Sequence, residues 1–205
     1  MGSSGPSWHG NREHVFIEIA KFCIALKKEG YSPILMPFWR RKMRVINKIS
    51  EITDTPIFKN WRNPEKVIDL ISTCSVLVGE KIHSIIFSAA AFTPFISLVY
   101  RPKCKYFAEI MGFEEYCLNT ENLSHKKLII MLQNLLDNWN KKRNQLIKNV
   151  IKYRTILRES AEEIKKDIKN LPLDKWSVNS SQKIRCLLQG SIASKYVKFI
   201  NMLSK

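Results

Sequence analysis

SVLVGEKIHSIIFSAAAFTPFISLVYRPK, residues 75–103, decides the fold. It reads as strand, helix, strand, with polar residues gathered where each strand ends. Ser75–Val78 is short, β-branched and apolar, as a strand buried on both faces should be. Gly79 stops it, and Glu80-Lys81-Ile82-His83-Ser84 opens a helix. Pro94–Val99 is the second strand, followed at once by Tyr100-Arg101-Pro102-Lys103. In a parallel sheet both strands end at one edge, and ligands of open α/β sheets bind outside that edge. Gly79–Ser84 and Tyr100–Lys103 are therefore expected to face one crevice. A helix N-terminus, a His, two Lys, an Arg and a Tyr suit an anion there. The same residues also fit a plain strand–turn–helix and a basic loop whose polar groups merely meet water.

Outward from this stretch, strands and helices alternate. Glu13–Lys28 has helical periodicity, with Val15, Ile19, Phe22, Cys23 and Leu26 on one face and Gly30 as its stop. Tyr31–Pro37 reads as a strand and Trp39–Ile52 as a basic helix. Thr55–Phe58 reads as a short strand, and Asn63-Pro64 caps a helix over Glu65–Thr73. This alternation predicts right-handed βαβ units and a parallel sheet. Cys104–Met111 is a short helix closed by Gly112, and Glu115–Leu118 is a brief extended piece. A further helix runs to Trp139 from a cap at Asn122 or Ser124, with Leu128, Ile129, Leu132, Leu135 and Leu136 as its core face.

Lys141–Lys169 is long, charged and helical. Leu146, Val150, Tyr153, Leu157, Ala161, Ile164 and Ile168 form the one stripe expected to pack. Leu173–Ser181 has linker composition, and Gln182–Leu203 reads as a basic amphipathic helix. The expected organisation is a Rossmann-like domain over 1–140, a long helix packing on it over 141–171, and a linker plus basic helix over 172–205.

Of the 205 residues, 45% are hydrophobic, enough for a buried core. The formal net charge of +16 implies a polyanionic neighbour: nucleic acid, an anionic membrane surface or phosphorylated substrates. No nucleic-acid module or aromatic stacking platform is seen, so nucleic acid is not expected. The five cysteines form no CxxC pair, zinc spacing or disulfide framework, and a reducing cytosol is the simplest compartment. Met1–Gly10 is small and polar and does not read as a secretory signal. The longest apolar run, Ile85–Tyr100, is interrupted by Pro94 and is shorter than the roughly 20 residues of a membrane span. His9, His14 and His125 have no partner at a useful spacing and are expected at the surface. Trp39-Arg40-Arg41 follows a strand and so also falls at the carboxyl edge, either as a phosphate or sugar grip or as a solvated helix start. GxGxxG and GxxxxGKS loops are absent.

Gly79-Glu80-Lys81-Ile82-His83 resembles the G-x-R-L-H motif of the polysaccharide pyruvyl transferase family. The similarity continues through an alanine-rich helix, Pro94 with its apolar strand, and Tyr100-x-x-Lys103. It spans Glu13–Gly112. The resemblance implies a fold like GT-B glycosyltransferases, two Rossmann-like halves with substrates between them, of which this chain would be the second. It also implies transfer of pyruvyl from phosphoenolpyruvate to a glycan acceptor as a ketal, with no cofactor and no metal. The implied substrate-binding set is Gly79, Lys81, Ile82, His83, Tyr100 and Lys103, with His83 catalytic. Two departures stand out. The motif arginine is Lys81, which keeps the charge without the bidentate fork. The chain also begins just after what would be the half's first strand, so the acceptor-binding half is expected upstream, on another chain, or lost together with catalysis. A cytoplasmic protein, peripheral at the inner membrane face, is expected. Two other readings remain: the donor half of a sugar-nucleotide GT-B glycosyltransferase, for which Glu80 is the only motif carboxylate, and a non-catalytic basic binding module.

Overall fold

The computed structural model describes residues 12–169. The expected linker and basic helix over 172–205, together with His9 and Cys186, lie outside the described residues. The chain divides into two units at Val150 and Ile151.

In the first unit, three parallel strands form a sheet in the order β1 (Leu77–Gly79), β2 (Phe95–Val99), β3 (Cys117–Asn119). Leu77 pairs with Phe95 and Gly79 with Ser97, while Ser97 pairs with Cys117 and Val99 with Asn119. Phe95 and Ile96 are wholly buried, as a central strand covered on both faces requires. The sequence reading undervalued β3. Its residues are few and only half apolar, and a 3₁₀ turn over Glu114–Tyr116 precedes it. Pairing to β2 makes it a strand.

Two expected strands are reduced to a single pairing. Tyr31–Pro37 and Thr55–Phe58 meet only at a parallel bridge between Leu35 and Ile57. Leu35 N–H donates to Pro56 O and Phe58 N–H donates to Leu35 O, both at 2.9 Å. Pro33, Pro37 and Pro56 remove ladder donors on either side of this bridge, which keeps it short.

The helices are α1 (Arg12–Lys28), α2 (Met43–Thr53), α3 (Pro64–Thr73), α4 (Ile82–Ala90), α5 (Pro102–Met111), α6 (His125–Asp137) and α7 (Trp139–Lys169). Helix α1 packs on α2 and α6, whereas α4 packs on α3 and α5. Asn63 caps α3 as read from the sequence, accepting from the N–H groups of Glu65 (3.0 Å) and Lys66 (3.2 Å). The basic helix begins later than expected: a 3₁₀ turn fills Arg40–Lys42, and the α-helix starts at Met43. Gly112 ends α5 at φ +77°, the left-handed conformation glycine tolerates best. Cys23 is buried in the core face of α1 as expected.

His14 and His125 are not surface histidines. His14 Nε2 lies 2.8 Å from the carbonyl oxygen of Leu123. His125 donates its backbone N–H to Glu18 Oε2 at 2.8 Å, and its Nδ1 is 2.7 Å from the same oxygen. A buried carboxylate on α1 thus occupies the N-terminal end of α6, where the helix dipole favours negative charge. Burial pushes the pKa of Glu18 up. Hydrogen bonds from His125 and Lys21 outweigh it and bring the value down to about 2.

Within the first unit, several residues of α7 fasten it, among them Trp139, Lys142 and Leu146. Trp139 Nε1–H donates to Ser75 O at 2.8 Å, Lys142 Nζ donates to Gly112 O at 3.1 Å, and Leu146 is fully buried. In the second unit none of the residues of α7 described from Ile151 to Asp167 is buried. Leu157 is 52% exposed and Ala161 is also exposed. Among the described residues, no helix is long and apolar enough to cross a membrane.

Candidate functional site at the carboxyl edge of β1 and β2

The turn after β1 is set by a close approach. A Cβ on Gly79 would lie 2.3 Å from Ser84 Oγ and 2.9 Å from Leu77 Cδ2. Ser84 is buried and cannot swing away, because its hydroxyl donates to Lys81 O at 2.6 Å. Only glycine lets the strand end this near the first turn of α4. The helix starts at Ile82 rather than Glu80, with Lys81 in extended backbone as the N-cap residue. Lys81 thus precedes the helix, and the N–H groups of its first turn follow it.

Lys81 is held tightly. Its Nζ lies 4.3 Å from the centroid of the Tyr100 ring, 5.1 Å from that of Trp39, and 3.5 Å from Glu80 Oε1. Its side chain is 17% exposed. The cation thus sits between two aromatic faces with a carboxylate beside it, an arrangement that orients the ammonium while leaving part of it open. Tyr100 is buried, and burial raises its hydroxyl pKa, so the ring meets Lys81 as a neutral phenol.

The segment after β2 is not a loop. Pro102 occupies the first turn of α5, for which Arg101 is the N-cap residue, and Lys103 lies exposed in the same turn. A second helix N-terminus therefore opens at the same edge. Cys104 is fully buried beneath it, its thiol 3.7 Å from Glu80 O. Burial raises the pKa of this thiol, against the lowering fields of Lys103, Lys81 and Arg101.

The structure does not gather every expected residue into one hollow. Gly79, Lys81 and Trp39 line the mouth of a groove that runs inward beside β1. His83 is exposed and lines a separate hollow with Phe38, Trp61, Arg62 and Phe87. Phe38 lines both. Ile82 is half-buried at the first position of α4. Sequence reasoning missed Arg62 altogether. It placed Trp39 at the edge but gave its ring to an arginine rather than to Lys81. The Trp61-Arg62-Asn63-Pro64 order was a usable signal, because a capped helix start following a strand lies near the sheet end. Among the described residues, no three His, Cys, Asp or Glu side chains gather in a way that could hold a metal ion.

The described residues to Val150 thus form a Rossmann-like α/β unit with its motif residues at the carboxyl edge of a parallel sheet. Residues 7–102 match the family model for polysaccharide pyruvyl transferase, so that stretch is similar to that family. No curated protein and no solved structure matched the chain.

Proposed function

We propose that this chain binds phosphoenolpyruvate at the carboxyl edge of β1 and β2 and acts in transfer of its pyruvyl group to a glycan as a ketal. The observation that carries the reading is the placement of Lys81. The cationic position of the family motif is clamped between Trp39 and Tyr100, directly before the N-terminus of α4. A phosphate or carboxylate meeting Lys81 there would also meet backbone N–H groups of α4, a fixed electrostatic field that needs no rearrangement. Lys103, in the first turn of α5, adds positive charge to the same edge.

In this reading His83 donates a proton to C3 of the donor, and C2 becomes oxocarbenium-like. A glycan hydroxyl attacks C2 and gives up its proton. A second hydroxyl then attacks C2 as the C–O bond to phosphate breaks; phosphate leaves with the bond electrons and takes up that hydroxyl's proton, which completes the ketal. An imidazole within reach of C3 can serve as the general acid of the first step. In this reading Arg62, which lines one hollow with His83, steadies the departing phosphate or the donor carboxylate. The net charge of +16 supports docking beside an anionic membrane surface, where lipid-linked glycans would be presented.

Thermal-shift titration tests the donor. Phosphoenolpyruvate should raise the melting temperature in a saturable way and a UDP-sugar should not. The reverse result would instead identify a sugar-nucleotide transferase half. A shift with neither would leave a non-catalytic basic module. His83→Ala should abolish phosphate release from phosphoenolpyruvate in the presence of a glycan, and unchanged release would sink the role given to His83.

A further inference from the structure

Helix α2 is built against its own electrostatics. Residues 39–53, WRRKMRVINKISEIT, carry five cations and one carboxylate, Glu51. Four of the five cations stand between Arg40 and Arg44, in the 3₁₀ turn and the start of the α-helix, and the first turn of α2 holds no acidic residue. A helix N-terminus carries partial positive charge, so cations are unfavourable there. Arg40, Arg44 and Lys48 follow one another at a spacing of four, which sets like charges side by side and adds mutual repulsion. Helix stability alone would favour the opposite order, with acidic residues first and cations last.

These cations meet solvent. Ile49 and Thr53 are on the buried side of α2, which packs on α1. Turning about 100° per residue, the helix carries Arg44 and Lys48 away from that side. Both are exposed, as is Arg40. Large apolar side chains stand at the two ends of the same stripe. Trp39, just before it, is 38% exposed, and Ile52, four residues beyond Lys48, is 61% exposed. A soluble polyanion would gain from the cations and nothing from the two apolar groups. The headgroup region of a bilayer takes both, since lipid phosphates meet the cations while tryptophan and aliphatic side chains sit at the acyl boundary. The stripe starts at the carboxyl edge of the sheet, where the Trp39 ring lies 5.1 Å from Lys81 Nζ.

We propose that the outer face of α2, with Arg40, Arg44 and Lys48 flanked by Trp39 and Ile52, is a docking surface for an anionic lipid bilayer. Lipid phosphates offset the repulsion among the cations, so a pattern that is unfavourable in water becomes favourable on the bilayer. Docking through this face holds Trp39, and with it the edge that carries Lys81, beside the headgroups. The inference deepens the membrane docking proposed above by naming the face responsible. It does not depend on the donor: vesicles and phosphoenolpyruvate are separate probes, and failure with one leaves the other result standing.

The test is flotation of the full chain with vesicles of phosphatidylcholine alone and of phosphatidylcholine mixed with phosphatidylglycerol in equal parts. Binding to the mixed vesicles, weakened by salt, is expected. Arg44→Glu/Lys48→Glu should lower that partitioning by roughly tenfold or more. The same substitutions relieve like-charge repulsion, so this variant should melt no lower than the native chain. A control with the same change in net charge, Lys66→Glu/Lys105→Glu, alters exposed residues of α3 and α5 instead and should keep most of the binding. Equal losses in the two double variants would overturn the proposal, because net charge rather than this face would then carry the binding. Equal binding to phosphatidylcholine alone would overturn it too, as would no binding to the mixed vesicles. Release from the mixed vesicles by RNA or polygalacturonate of matched charge would assign the stripe to a soluble polyanion instead.

Discussion

The α-carbon of Gly79 faces the hydroxyl of Ser84 so closely that a methyl group on the glycine would fall 2.3 Å from Ser84 Oγ. The hydroxyl is buried and tied to Lys81 O, the N-cap residue of α4. Any group added at Gly79 therefore presses on the element that fixes Lys81. Gly79→Ala is expected to cost about 1–3 kcal/mol, the usual range for overpacking, and to weaken phosphoenolpyruvate binding by displacing the turn. Removing the hydroxyl should relieve part of the strain, so Gly79→Ala/Ser84→Ala should be less destabilised than the sum of the single variants. Urea unfolding of all four proteins measures this. Strict additivity would show that the two residues do not press on each other.

Lys81 stands where the family motif carries arginine, and its ammonium lies between Tyr100 and Trp39 with Glu80 beside it. Arginine keeps the charge and stacks on aromatic faces. Lys81→Arg is therefore expected to retain the thermal shift given by phosphoenolpyruvate, and Lys81→Met to lose it. Lys81→Met should also lose some intrinsic stability, since Glu80 is left half-buried without its neighbouring cation. Calorimetric titration of the three proteins gives the answer. Equal affinity in Lys81→Met would remove the donor site from this edge.

The parts of this site that were legible in the sequence are those set by short-range chemistry. Gly79 as a strand stop, Asn63 as a cap and Gly112 as a helix end each follow from one or two residues of local geometry. The pairing of β2 with β3 did not follow, because Cys117–Asn119 is a strand only by virtue of its partner. The same holds for Glu18 and His125, which are 107 residues apart and meet only because α1 packs on α6. Trp39 was placed at the right edge by its position after 34–36, but its partnership with Lys81 depends on how two separate turns approach. Pro102 and Lys103 read as a loop because the helix after them begins with proline, a residue that serves equally as a turn and as a first helical position.

Helix α7 offers a contrast within one element. Leu146 is fully buried and Leu157 is 52% exposed, although both fall on the same apolar stripe of the sequence. Leu146→Ala should destabilise the chain by roughly 2–5 kcal/mol, as large-to-small changes in a packed core do. Leu157→Ala should change it by no more than about 0.5 kcal/mol. Chemical denaturation resolves the difference. A comparable loss in both would mean that the stripe is covered along its whole length.

Glu18 sets a specific acid sensitivity. Its carboxylate accepts from the backbone N–H of His125 at 2.8 Å and from Lys21 Nζ at 2.9 Å, and its pKa is about 2 against an ordinary value of 4.5. Above pH 4.5 the group is charged whether the chain is folded or not, and its contribution to stability is fully present. Between pH 4.5 and 2 the unfolded chain takes up the proton first, so the contribution falls with pH. Glu18→Gln keeps an acceptor for His125 but cannot titrate. The stability gap between the native chain and this variant should therefore shrink from pH 4.5 downward. Urea midpoints at pH 6, 4 and 3 measure the gap. Because the subtraction cancels titrations common to both proteins, a gap that stays the same at pH 3 would show that the Glu18 carboxylate is not preferentially charged in the folded state.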